Sequence, residues 1–204
     1  GIRSNSVYSL LVDDRGAVWV GHFQAGLDYS LYQNGLFRTY AYPPLFNSAN
    51  LSIRSFISRG QEKVIGSRDG LFYINEATGM VKSFVKPVLT SDLILTISFY
   101  QGEYYIGTYG GGMMVLNPET LSLKYFSQSD TELFQKGHIF CVKPDTKGNL
   151  WIGTSQGLFN YNGQTKQIKH FTSANSQLLE GNVYEVSFDS TGKGWIATET
   201  GMCI

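Results

Sequence analysis

The sequence is short of everything that would tie it to nucleic acid, metal or lipid. Its sixteen Lys+Arg and sixteen Asp+Glu cancel, so there is no basic footprint for a phosphate backbone or an anionic bilayer surface. No apolar run approaches the roughly 20 residues of a membrane helix. Gly1-Ile2-Arg3-Ser4-Asn5 is not the start of a signal peptide, and the chain reads as though cut from something longer. It has three histidines, His22, His138 and His170, and two cysteines, Cys141 and Cys203, with no metal-ligand spacing among them. Both cysteines sit among apolar neighbours in predicted strands and read as buried, unpaired thiols. Helical periodicity is missing too: no stretch holds it over about 11 residues.

What the sequence has is turn formers, strand formers and repetition. Gly is 23 of 204 residues, beside 13 Tyr, 13 Phe and 3 Trp, a mixture suited to many short strands. One stretch occurs five times. Its clearest copy is Asn149-Leu150-Trp151-Ile152-Gly153-Thr154-Ser155-Gln156-Gly157-Leu158. The second glycines, at 26, 70, 112, 157 and 201, are 44, 42, 45 and 44 residues apart. A period in this range marks an array of small supersecondary units.

Each unit opens with an apolar pair three apart: Val7 and Leu10, Ile53 and Phe56, Ile94 and Ile97, Ile139 and Val142, Val183 and Val186. The blurred alternation suggests a first strand buried on both faces. A turn with Asp or Gly follows, then a strand carrying Trp19, Val64, Tyr105, Trp151 or Trp195 and ending in Gly, or Ala197 in the fifth unit. A glycine inside a strand marks close approach of a neighbour. The three tryptophans share one position and read as core. The third strand starts at the second glycine. A further turn, at Asn34-Gly35, Thr78-Gly79, Asn117-Pro118 and Asn162-Gly163, leads to a fourth, Lys- or Arg-bearing strand with the character of an outer edge.

Four antiparallel strands in about 44 residues make a propeller blade. A sandwich needs no repeated sequence, and a solenoid needs helical or leucine-rich periodicity. The expected fold is all-β, one partial propeller over 1–204, with four-stranded blades near 4–42, 50–86, 91–128 and 136–173 and an incomplete one at 180–204. Four and a half to five blades suggest a piece of a larger propeller of about seven, with the remaining blades as partners and end faces that favour self-association.

The pattern V-x-x-I-x-x-D-x-x-G-x-L-W-I-G-T-x-x-G-L resembles the two-component regulator propeller repeat. The fourth unit follows it through Ile139, Val142, Asp145, Gly148, Leu150, Trp151, Ile152, Gly153, Thr154, Gly157 and Leu158; the first and fifth follow it less fully, and the second and third lack the Trp and the turn Asp. The resemblance implies a periplasmic sensor region of a hybrid two-component histidine kinase, responding to oligosaccharides released from polysaccharide. No kinase portion lies in this chain, and no catalytic group, cofactor or metal is expected in it.

The loops joining second and third strands meet the links between blades at one end of the ring. Ligand-binding candidates there are Asn5, His22, Gln24, Arg68, Asp69, Tyr109, His138, Gln156, Asn182 and Glu199; amide, guanidinium and aromatic groups suit sugar hydroxyls and ring faces. His170 falls in an outer strand and reads as solvated. A protein-binding scaffold and a streptogramin-lyase-like enzyme using His22 or His138 are the competing readings.

Overall fold

The computed structural model describes residues 1–31, 36–40, 51–126 and 132–204. Among them the chain is all-β but for one helical turn. Four sheets are four-stranded and antiparallel. The first holds β1 (Val7–Val12), β2 (Ala17–His22), β3 (Leu27–Leu31) and β4 (Arg38–Thr39); the second β5 (Ile53–Arg59), β6 (Glu62–Ser67), β7 (Gly70–Asn75) and β8 (Met80–Phe84). The third holds β9 (Ile94–Tyr100), β10 (Glu103–Thr108), β11 (Met113–Leu116) and β12 (Leu123–Tyr125). After α1 (Leu133–Lys136), which the sequence did not announce, the fourth holds β13 (Ile139–Pro144), β14 (Asn149–Thr154), β15 (Gly157–Asn162) and β16 (Ile168–Phe171). The fifth has three strands, β17 (Val183–Phe188), β18 (Gly194–Thr198) and β19 (Gly201–Cys203). Strand order follows chain order in every sheet, as in propeller blades. The turn at Asn34-Gly35 and the blade bounds expected at 42, 50 and 128 lie outside the described residues.

Two compact units divide the chain, Gly1–Ile97 and Ser98–Ile204. In the first, β1 packs on β5, and Trp19, Leu27, Leu51, Ile53, Phe56, Ile65, Phe72 and Ile74 form the core. In the second, β13 packs on β17, and Val183 and Val186 join Cys141, Leu158 and Leu178 in a buried cluster.

The strand glycines are sockets for the next sheet. A side chain at Gly66 would meet Ile94 Cγ2 at 2.5 Å; one at Gly153 would meet Cys141 Sγ at 2.6 Å and the Val183 carbonyl at 2.7 Å. The filling group is the first apolar residue of the following inner strand. Its partner three positions on buries the same face because a bulge intervenes. Register slips between Val7 and Ser9, Ile53 and Ser55, Ile139 and Cys141, and Val183 and Glu185. One extra residue turns an odd spacing into a shared face. The expectation of first strands buried on both faces therefore fails in part. In β1, which has no preceding sheet among the described residues, Leu10 is 70% and Val12 66% exposed.

The Asp and Trp of the repeat form one device. Asp145 accepts from the Lys147 and Asn149 backbones (2.9 and 2.8 Å), Asn149 Nδ2 (2.9 Å) and Trp151 Nε1 (2.9 Å). Asp13 does the same for Arg15, Ala17 and Trp19, and Asp189 for Thr191, Lys193 and Trp195. Units two and three lack both residues together, since neither has a purpose without the other. Burial opposes ionisation of Asp13 and Asp145, but these donors outweigh it and hold both carboxyls below the usual range. Asp189 is lowered to about 2, first by the Thr191 hydroxyl.

A depressed carboxylate contributes stability that is complete above its unfolded value, about pH 4, and is lost as pH falls through the folded value. Acid should therefore destabilise the protein between about pH 4 and pH 2. An Asp13→Asn/Asp145→Asn variant should be less stable at pH 7 and show a shallower loss below pH 4. Urea midpoints measured from pH 7 to 2 check this; parallel curves for variant and wild type would exclude the turn aspartates as the source.

Candidate functional site

The ends of four of the five blades are closed by a recurring backbone bond. The residue after the second strand donates to the carbonyl just before the first strand: Phe23 to Ser6 (2.9 Å), Arg68 to Ser52 (3.1 Å), Ser155 to His138 (3.2 Å), Glu199 to Asn182 (2.9 Å). Loop and link are thus held side by side, as the sequence reading required. The bulge lies one or two residues further on, and it turns its extra residue out of the ladder toward this same end. Those residues are Tyr8, Arg54, Phe140 and Tyr184.

In unit 98–204 they complete a continuous strip. Tyr109 stacks on His138 with ring centroids 3.9 Å apart. His138 lies 6.1 Å from Phe140, and Phe140 lies 5.0 Å from Tyr184. Asn182 Nδ2 donates to the Tyr184 hydroxyl at 3.1 Å, and its backbone N–H to Glu199 Oε2 at 3.3 Å. Tyr109 is 50% and Tyr184 44% exposed, so the rings offer open faces. His138 Nδ1 is buried with no hydrogen-bond partner among the described residues. A cleft of about 340 Å³ lies at the same blade end, lined by Ser155, Gln156, Thr172, Leu178, Leu179 and Glu180 among others. His170 Nε2 donates to the Gln156 carbonyl at 2.6 Å and so braces this loop.

In unit 1–97 the corresponding group is Tyr8, Phe23 and Arg54. Tyr8 and Phe23 are 5.3 Å apart, and the Arg54 guanidinium lies 4.8 Å over the Tyr8 ring. Gln24 adopts φ +54° and its N–H reaches Ser52 Oγ at 3.2 Å. Asn5, Arg68 and Asp69 are exposed around them.

His22 does not belong to this surface, contrary to the sequence reading. It is fully buried. Its Nε2 donates to Asp28 at 3.0 Å, and Asp28 also accepts from the Arg3 backbone at 2.8 Å. Other units place Thr or Ser here, whose hydroxyl bonds the glycine carbonyl four or three residues on: Thr108 to Gly112, Thr154 to Gly157, Ser67 to Gly70. His22 replaces that hydroxyl inside the blade, and its direction is inward. Trp195, read as core, is 37% exposed, in a sheet that no further sheet follows among the described residues.

Sequence reasoning missed Tyr8, Arg54, Phe140 and Tyr184. The signal was present, since the residue following the first apolar position is aromatic in three units of five. Cys141 and Cys203 are both free. Burial pushes the Cys141 thiol up to about 12, while Cys203 is only half-buried. Among the described residues no three His, Cys, Asp or Glu side chains gather as metal ligands, and no helix is long and apolar enough to cross a membrane.

Residues 1–24 and 134–156 match the family model of the two component regulator propeller, so the resemblance carried by the repeats holds. No curated protein matches the chain. Among solved structures, the chain is similar to the extracellular domain of BT3049 from B. thetaiotaomicron, assigned as a hybrid two component system. Identity is 26% and the TM-score 0.74, over 99% of this chain and 27% of that one. A second such domain, BT4673 of the same organism, gives 18% and 0.63 over 99% and 32%. Virginiamycin B lyase from Staphylococcus aureus gives 12% and 0.71 over 97% and 69%. The last two likenesses speak for the fold alone. The chain spans about a third or less of the two extracellular domains.

Proposed function

We propose that this chain is a sensing segment of the periplasmic part of a hybrid two-component histidine kinase, within a propeller of about seven blades. Its ligand is an oligosaccharide laid along the strip from Tyr109 to Tyr184. The observation that carries this is the line of rings at the blade ends of unit 98–204. Open aromatic faces take the C–H faces of sugars, and the neighbouring Asn182, Gln156 and Glu199 offer donors and acceptors for hydroxyls. The kinship with extracellular domains of hybrid systems supports the setting.

Calorimetry against a panel of neutral oligosaccharides tests the reading. Tyr109→Ala/Tyr184→Ala should weaken binding by about tenfold or more with little change in melting temperature, since both rings are largely outside the core. Undiminished affinity in that variant would remove the strip from the site.

A protein-binding role is the second reading. In the proposed propeller the apolar face of β1 at Leu10 and Val12 is where a preceding blade packs; without that blade it should drive self-association, and a Leu10→Glu/Val12→Lys variant should sediment as a smaller species than the wild type. The lyase reading loses one of its two histidines with the burial of His22.

A further inference from the structure

Blade two presents a charge where the other blades present a ring or an aliphatic chain. The residue after the first apolar position is Tyr8, Arg54, Leu95, Phe140 or Tyr184. Arg54 is half-buried, its guanidinium lies over Tyr8, and its Nε is sealed with no hydrogen-bond partner among the described residues. No carboxylate among the described residues stands within ion-pair distance of it, although eight other pairs are made. A partly dehydrated guanidinium with no carboxylate partner among the described residues works against folding, and its contact with the Tyr8 ring offsets only part of that. A leucine at the same place in blade three shows that the fold does not require the charge, which points to a functional position.

The surroundings suit one kind of ligand. Arg68 leaves the same blade end, because its N–H bonds the carbonyl of Ser52, two residues before Arg54. Asp69 follows it, so Arg54, Arg68 and Asp69 together leave one positive charge. The flat faces of Tyr8 and Phe23 lie beside that charge. The planar guanidinium offers a fork of N–H donors that a carboxylate or sulfate fills in pairs, and a ring bearing that group would pack beside the aromatic pair.

We infer that the end of blade two is an anion subsite, in which Arg54 binds an acidic group carried on a ring-shaped ligand that packs beside the Tyr8–Phe23 pair. It belongs to unit 1–97 and does not rest on the reading of the neutral strip in unit 98–204.

The test is titration of the protein with trigalacturonate, a sulfated galactose trimer and the neutral galactose trimer, at low and moderate salt, followed by calorimetry and by the Arg54 Nε resonance. At low salt one or both acidic trimers should bind about tenfold tighter than the neutral one, and added salt should narrow the margin. The acidic trimer preferred names the carboxylate or the sulfate as the group recognised. Arg54→Leu should abolish the margin with the melting temperature unchanged or raised, and Arg54→Lys should keep only part of it. Equal binding of acidic and neutral trimers, no binding of either acidic trimer, or an intact margin in Arg54→Leu would overturn the proposal. Retained acidic binding in Tyr109→Ala/Tyr184→Ala, with neutral binding lost, keeps the two sites distinct. Acidic binding in a protein that takes no neutral sugar would defeat the strip and leave this subsite standing.

Discussion

Trp19→Ala is expected to lower the unfolding free energy by about 4 kcal/mol, and Trp195→Ala by less than about 1 kcal/mol, although the two occupy the same place in the repeat. Trp19 is 3% exposed. Tyr29 stacks on it at 5.0 Å, Phe56 lies at 4.9 Å and Tyr40 at 5.2 Å. The stem of Lys63 closes the remaining side, with Nζ 6.0 Å from the ring and bound to the Gly60 carbonyl and Glu76. Removing the indole leaves a cavity with no way to collapse, and it orphans one bond to Asp13. Trp151 is intermediate. Asn160 stands opposite it where Tyr29 faces Trp19, and Gly194 takes the place of Lys63. A cleft of about 350 Å³ remains, lined by Trp151, Phe188, Gly192 and Gly194 among others. Trp195 keeps an open face and a longer bond to Asp189, 3.4 Å. Urea midpoints of the three alanine variants should rank in that order. Equal losses would mean that the motif, not its surroundings, sets the contribution.

The same contrast explains what was legible in the sequence. Blade number and strand order could be read because each unit repeats a local pattern, and local patterns survive without knowledge of neighbours. The turns were legible for the same reason: Asn75, Asn117 and Asn162 each accept two backbone N–H groups within three residues. Burial was less legible, because it depends on the adjoining blade. Leu10 and Phe56 hold one repeat position, yet the first is 70% and the second 8% exposed. The site was half legible. Tyr109, His138, Asn182 and Glu199 sit at loop positions that topology alone places at one end. Phe140 and Tyr184 lie within strands, and only a bulge, which depends on register, aims them there. His22 misled because a loop-adjacent histidine suggests a ligand, while its partner Asp28 comes from the neighbouring strand.

Gly153→Ala should cost roughly 3 kcal/mol, at the upper end of what overpacking does. The added methyl would meet Cys141 Sγ at 2.6 Å, the Val183 carbonyl at 2.7 Å and Val183 Cγ1 at 2.9 Å. A flexible side chain could yield, but the carbonyl belongs to β17 and is held by that sheet. Relief requires β17 to shift away from β14. The same displacement would disturb the bulge that carries Tyr184 and would separate that ring from Phe140, so ligand binding on the strip should fall together with stability. Gly148→Ala makes the control, because its Cβ meets nothing within 4 Å and its cost is confined to φ +79°, about 1 kcal/mol. Ala197→Gly is the reverse control: the fifth unit already carries the methyl, and its loss should change stability by less than about 1 kcal/mol. If Gly153→Ala proved as mild as these two, the glycine would not be the socket on which neighbouring blades depend. If it proved severe while binding survived, the strip would be independent of blade spacing.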